Sequence, residues 1–128
     1  MLKSVAAVTL SILTALTIVS LPSHAQSGST QTSPDLELSI ALNRAKNLAR
    51  MAAERSNGGL GFYRAESSMH GPAADSPYVD NGNGIWTFTF KGGQPNSTTL
   101  SVESVVSVSR DGSQVTVDYN GPVRSTGQ

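Results

Sequence analysis

Polar and apolar residues change their spacing once along this chain, from the period of about 3.6 that marks a helix to the period of about 2 that marks a strand. The helical stretch covers residues 33–59. At about 100° per residue, Leu38, Ala41, Leu42, Ala45, Leu48, Ala49, Ala52 and Ala53 fall on one stripe, with Asn43, Lys46, Asn47, Arg50 and Glu54 across from it. This spacing predicts one amphipathic helix with one buried face. Its ends are marked as well. Ser33 can cap free amides and Pro34 suits the first helical position; Asp35 and Glu37 complement the positive end. Arg55 sits near the negative end, and Asn57-Gly58-Gly59 stops the helix.

Beyond residue 59 the pattern reads as strands. Residues 60–70 alternate irregularly, and their place between the helix stop and Gly71-Pro72 predicts a first strand. Residues 71–84, rich in Gly and Pro, read as a long connection with turns. Residues 85–90 alternate without a break: Trp86, Phe88 and Phe90 on one face, Ile85, Thr87 and Thr89 on the other. The aromatic face is expected against the helix stripe, whose alanines leave room for rings. After a turn at residues 91–97, residues 99–109 alternate with Leu100, Val102, Val106 and Val108 in register. Ser104 interrupts that set and predicts a bend or bulge there. Arg110-Asp111-Gly112-Ser113 is a hairpin turn, and residues 114–120 close the sheet with Val115, Val117 and Tyr119 inward and Thr116 and Asp118 outward.

Lengths agree with this assembly. A helix of about twenty-two residues spans roughly 33 Å, close to the reach of strands of about ten residues. The expected fold is therefore α+β, a long N-terminal amphipathic helix packed on a curved antiparallel sheet of about four strands. It occupies residues 34–123 as a single domain, with residues 124–128 a disordered tail.

The first twenty-five residues carry a different signal. Lys3 precedes an apolar run over residues 5–21, Pro22 breaks it, and Ser23-His24-Ala25 places small residues where a signal peptidase reads. Cleavage between Ala25 and Gln26 is expected, the rival being an uncleaved anchor, since the run is near the lower limit for spanning a bilayer. Residues 26–33, QSGSTQTS, then form a flexible polar leader. A signal peptide with no cysteine anywhere favours a bacterial periplasmic or secreted protein over a disulfide-stapled eukaryotic module.

Charge narrows the partners. Without Lys3 the chain keeps eight Lys plus Arg against nine Asp plus Glu, and the cations are scattered. Nucleic acid is disfavoured, and Arg44, Lys46, Arg50 and Arg55 read as a solvated helix face. No membrane contact is expected after cleavage.

Candidate chemistry is sparse. His70 is the only histidine beyond the signal segment. Asp75 and Asp80 lie near it, but no Gly-x-Ser-x-Gly elbow accompanies them, so it reads as a surface histidine at a strand end. Thiol chemistry and a zinc site lack ligands. Asp75, Asp80, Asn81 and Asn83 raise the question of calcium, but the spacing is not that of an EF-hand, and Asp-Asn-Gly-Asn-Gly is more simply a turn. No catalytic, metal or cofactor site is assigned, and no cofactor is expected. Trp86 reads as core. Tyr78, between Pro77 and Val79, reads as an exposed contact, with Asp80 and Asn81 beside it as candidate partner-binding residues.

A helix ending in Asn57-Gly58-Gly59, a Tyr78-x-x-x-x-x-Gly84-x-Trp86-x-Phe88-x-Phe90 run and a closing Val117-Asp118-Tyr119-Asn120-Gly121-Pro122-Val123 resemble the small exported domains of the PepSY and cystatin-like group. The closing segment is similar to the Val-Asp-x-x-x-Gly-x-Val ending of PepSY domains, one residue shorter before the glycine. What the resemblance implies is a module that engages peptidases or other exported proteins. The Gln-x-Val-x-Gly hairpin and Pro-Trp loop of cystatin inhibitors are not present, the hairpin tips being residues 92–96 and 110–113, which argues against inhibition by that route.

The functional expectation is an exported, non-enzymatic binding module for a protein or peptide. It would act through the outer sheet face, a free edge strand or residues 71–84. The alternatives are a small-molecule-binding or enzymatic domain using the concave sheet face, and a structural cell-surface component.

Overall fold

The computed structural model describes Ser20 and residues 33–125. The expected signal segment, its cleavage point at Ala25 and Gln26, and residues 126–128 lie outside the described residues. Among the described residues one helix, α1 (Pro34–Ser56), which lies within the chain and is not N-terminal as expected, packs on an antiparallel sheet of five strands: β1 (Arg64–Ala65), β2 (Tyr78–Asp80), β3 (Ile85–Gly93), β4 (Val102–Ser109) and β5 (Val115–Pro122). β3 is the hub. β4 pairs along one of its edges, while the other edge takes β2 opposite Trp86, Thr87 and Phe88 and β1 opposite Gly92 and Gly93. Among the described residues β5 pairs with β4 alone and forms a free edge.

Both helix ends follow from their residues. Ser33 Oγ accepts from the Leu36 amide at 3.4 Å, and Pro34 occupies the first turn, where no amide partner is lost. At the other end the Gly59 amide reaches Glu54 O at 2.8 Å and the Gly58 amide reaches Arg55 O at 3.4 Å, the paired closure of a Schellman motif. That closure needs a left-handed residue, and Gly58 has φ +92°.

The core forms as the pattern dictates. Ala45, Ala49, Ala52 and Ala53 are buried with Trp86, Phe88, Phe90, Val106 and Val108 in a single cluster, small helix residues accommodating large rings. Tyr63, Met69 and Ala73 from the segment between α1 and β3 complete it.

Several expectations are corrected. Residues 60–70 form turns, the two-residue β1 and a 3₁₀-helix at Ser67–Met69 rather than one strand, because few β-branched residues favour extension there. Residues 71–84 are not wholly loop: they hold a 3₁₀-helix at Ala73–Asp75 and β2. The sheet thus has five strands, two of them very short. Ser104 faces the core as a fully buried polar residue. The bulge it suggested lies instead in β5: Val105 pairs with Tyr119 and Val106 with Val117, which leaves Asp118 as the extra residue. A one-residue slip reverses the faces. Asn120, opposite Ser104, therefore turns inward, and Tyr119 turns outward, contrary to its expected place.

Leu38, expected in the buried stripe, is 46% exposed. Lys46, expected on the solvated face, is 3% exposed. The two errors have one cause. The cover over α1 is rotated towards Lys46 and begins a turn later than the stripe does, because residues 65–73 fold over that flank. The tail is also shorter than expected: Arg124 Nε and its second guanidinium nitrogen reach Glu103 Oε1 at 2.9 and 2.5 Å, and the guanidinium lies 3.7 Å over the Tyr119 ring.

Candidate functional site

The first two turns of α1 carry three large aliphatic residues that the fold leaves partly uncovered: Leu36 at 51%, Leu38 at 46% and Ile40 at 55% exposure. The buried positions of α1 begin only at Leu42. Beside it runs the 3₁₀-helix of Ala73–Asp75. Between the two lies a groove of about 490 Å³, lined by Leu38, Ile40, Leu42, Pro72, Ala73 and Asp35, among others. The lining is mainly apolar, with Asp35 contributing a carboxylate at the helix N-terminus. Such a surface removes apolar area from water when another chain covers it, at about 25 cal/mol per Å².

The groove's lower end adjoins a cluster of polar groups on the flank of α1. Lys46 Nζ donates to Gly71 O at 2.5 Å. Burial first, and the Arg50 guanidinium second, push its ammonium below the usual lysine range. Arg50 lies 3.0 Å from His70 Nδ1, and His70 Nε2 lies 3.2 Å from Ala65 O. A carbonyl can only accept, so Nε2 carries the proton and Nδ1 accepts from Arg50. The ring is thus held neutral between helix and β1. Burial and then Arg50 lower its pKa, opposed in part by the Ala65 carbonyl. This arrangement fixes the segment that forms the groove's second wall. It is no catalytic dyad, since the ring's partners are a guanidinium and a backbone oxygen.

The residues singled out from sequence lie near the other end of β3. Tyr78 is half-buried rather than exposed: it pairs with Phe88, with the ring centroids 6.3 Å apart, and packs on the core. Its alternation in β2 turns it inward and leaves Val79 outward, 62% exposed. Asp80 is exposed but committed, accepting from the Gly82 amide at 2.9 Å and from Arg110 at 2.8 Å. The Gly82 amide foremost, with Arg110, holds its carboxyl below the usual range. Arg110 also lies 5.3 Å from the Trp86 ring centroid. Asn81 Nδ2 donates to Thr87 Oγ1 at 2.8 Å, starting a row of bonds across the outer sheet face through Ser107 to Asp118. The three residues are therefore neighbours, bound into local structure. Among the described residues no group of three or more His, Cys, Asp and Glu could hold a metal ion.

Sequence reading missed the exposed aliphatics. Leu36 and Ile40 lie off the buried stripe, roughly opposite its centre, and that offset was the available signal. Leu60 and Phe62, 68% and 73% exposed in the turn after α1, fall in the stretch whose alternation predicts a strand. No helix among the described residues is long and apolar enough to cross a membrane. No family model, no curated protein and no solved structure matches the chain.

Proposed function

We propose that this chain is an exported, non-enzymatic binding module whose groove between α1 and Ala73–Asp75 takes an apolar segment of another exported protein or peptide. The observation that carries the reading is the pair of half-exposed aliphatics Leu38 and Ile40 in the lining of a groove of about 490 Å³, with Leu36, also half-exposed, on the same two helical turns. Asp35 on the rim suits a partner with a positive charge next to its apolar residues. The proposal takes residues 1–25 as a signal peptide removed after Ala25, with the domain acting in the periplasm or outside the cell. A peptidase is the partner that the PepSY-like element order suggests.

The test is retention of partners from an envelope and secreted fraction by the chain beginning at Gln26, compared with its Leu36→Gln/Leu38→Gln/Ile40→Gln variant. Exposed substitutions to a good helix former leave folding within about 0.5 kcal/mol per site. The expected result is a saturable partner held by the parent and lost by the variant. Equal retention by both, or none above a control domain, refutes the reading. Concentration-dependent oligomers that the variant abolishes would assign the groove to self-assembly and the chain to a structural role.

A further inference from the structure

Asparagine followed by glycine occurs four times in this chain, at Asn57-Gly58, Asn81-Gly82, Asn83-Gly84 and Asn120-Gly121. The pairing is chemically labile. The glycine nitrogen, unhindered by a side chain, can attack the asparagine Cγ once it has lost its proton. A C–N bond forms, the amide C–N bond breaks, and ammonia leaves with the proton from the backbone nitrogen. Water then opens the resulting succinimide at either carbonyl, giving aspartate or isoaspartate. The net reaction consumes one water and releases one ammonia, and neither oxidant nor enzyme is needed.

The fold treats the four copies differently. Asn57 and Asn120 hold each other: Asn57 Nδ2 donates to Asn120 Oδ1 at 3.0 Å, and Asn120 Nδ2 donates to Asn57 Oδ1 at 3.1 Å. Asn57 Nδ2 also reaches Ala53 O at 2.7 Å, and Ser104 Oγ donates to Asn120 Oδ1 at 2.8 Å. Both side chains are half-buried, and Gly121 is paired with Glu103 within the sheet. Neither amide can swing towards the following nitrogen without breaking this network. Asn81 is exposed but tethered to Thr87 at 2.8 Å, and its nucleophile, the Gly82 nitrogen, donates to the Asp80 carboxylate at 2.9 Å. A carboxylate on that N–H opposes loss of its proton. Asn83 is exposed, and among the described residues neither its side chain nor the Gly84 nitrogen makes a hydrogen bond.

We propose that Asn83 is a self-modification site, deamidated through the Gly84 nitrogen in the native protein, with Asn81 slower and Asn57 and Asn120 protected by folding. The product places a new carboxylate in the turn that already holds Asp80. Where isoaspartate forms, it lengthens the backbone next to Gly84, whose carbonyl accepts from the Arg110 amide at 2.9 Å.

The experiment incubates the purified folded protein and a urea-unfolded sample in parallel at mildly alkaline pH. Peptide mapping by mass spectrometry follows the exchange of NH2 for OH at each site. The expected native order is Asn83 first, Asn81 second, and no conversion at Asn57 or Asn120 while Asn83 is consumed; in the unfolded sample all four react at similar rates. Asn83→Gln abolishes the first event. Asp80→Ala frees the Gly82 nitrogen and speeds Asn81. Native conversion of Asn57 or Asn120 as fast as Asn83, or an unchanged Asn83 after the unfolded chain has reacted, overturns the proposal.

Discussion

Replacing Asn57 and Asn120 by alanine, singly and together, measures how firmly the end of α1 is tied to the edge strand. The two amides exchange a pair of hydrogen bonds at 3.0 and 3.1 Å across 63 residues of chain. At about 0.5–1.5 kcal/mol net for each bond, the pair should couple by about 1–3 kcal/mol. The single variants lose more than the pair. Asn57→Ala also gives up the 2.7 Å bond to Ala53 O at the helix C-terminus. Asn120→Ala strands the hydroxyl of fully buried Ser104, which by itself costs about 1–3 kcal/mol. Those extra losses cancel in a double-mutant cycle, which isolates the reciprocal term. Urea unfolding of the four proteins supplies the free energies, provided the m-value stays constant across the set. The expected result is a double variant less destabilised than the sum of the singles by about 1–3 kcal/mol. Additivity within about 0.5 kcal/mol would show that the amides are solvated independently and that the helix is held by its alanine face alone.

Two further outcomes follow from close contacts elsewhere. Gly92 lies in β3 directly under the Tyr63 ring, and an added Cβ would fall on the ring itself. Gly92→Ala should therefore cost about 1–3 kcal/mol by overpacking, read as a lowered urea midpoint, and Tyr63→Leu in the same chain should recover part of it. His70, neutral between Arg50 and Ala65 O, has a native pKa below its usual 6.5. The unfolded chain then binds the proton more readily than the native one. The histidine's contribution is full above pH 6.5 and is lost as pH falls from there through the lowered native value. Melting temperature should drop across that window, and His70→Gln should flatten the drop; an unchanged slope would show that the burial and the Arg50 contact that disfavour the charged ring are not maintained in solution.

How much of this fold is legible in the sequence depends on how strongly each element repeats. α1 was read to within a residue at both ends because Ser33, Pro34 and Asn57-Gly58-Gly59 each have one local physical role. β3 was equally plain in its strict alternation over Ile85 to Phe90, although the period alone did not extend it to Gly93. Residues 60–70 depart from the strand their alternation predicts because their structure rests on contacts remote in sequence: Arg50 with His70 and Glu66 with the Lys91 amide at 2.7 Å, with Lys46 holding Gly71 just beyond. Lys46 shows how such an error propagates. A lysine in a polar run reads as solvated, yet its stem can lie along the core while its ammonium meets a carbonyl, once another segment covers that flank.

The bulge in β5 shows where periodicity misplaces side chains. Val115, Thr116 and Val117 alternate, and continuing that alternation puts Tyr119 in the core and Asp118 and Asn120 outside. One extra residue at Asp118 reverses this. Tyr119 then becomes the surface that Arg124 covers, and Asn120 becomes the inward amide that meets Asn57. Periodicity is blind to such an insertion because Asp118 is polar whichever side it takes. The energetic reason for it lies across the sheet, in buried Ser104, whose hydroxyl needs a partner that an inward tyrosine in register would not bring. The same reasoning applies to the groove. Leu38 belongs to the stripe yet is half-exposed because the buried part of α1 starts only at Leu42, and it lines the groove together with Ile40, which lies off the stripe. Where a helix begins is written in its caps, whereas where its cover begins is set by the length and route of a different segment. A binding surface built from that mismatch therefore becomes visible only once the elements are assembled.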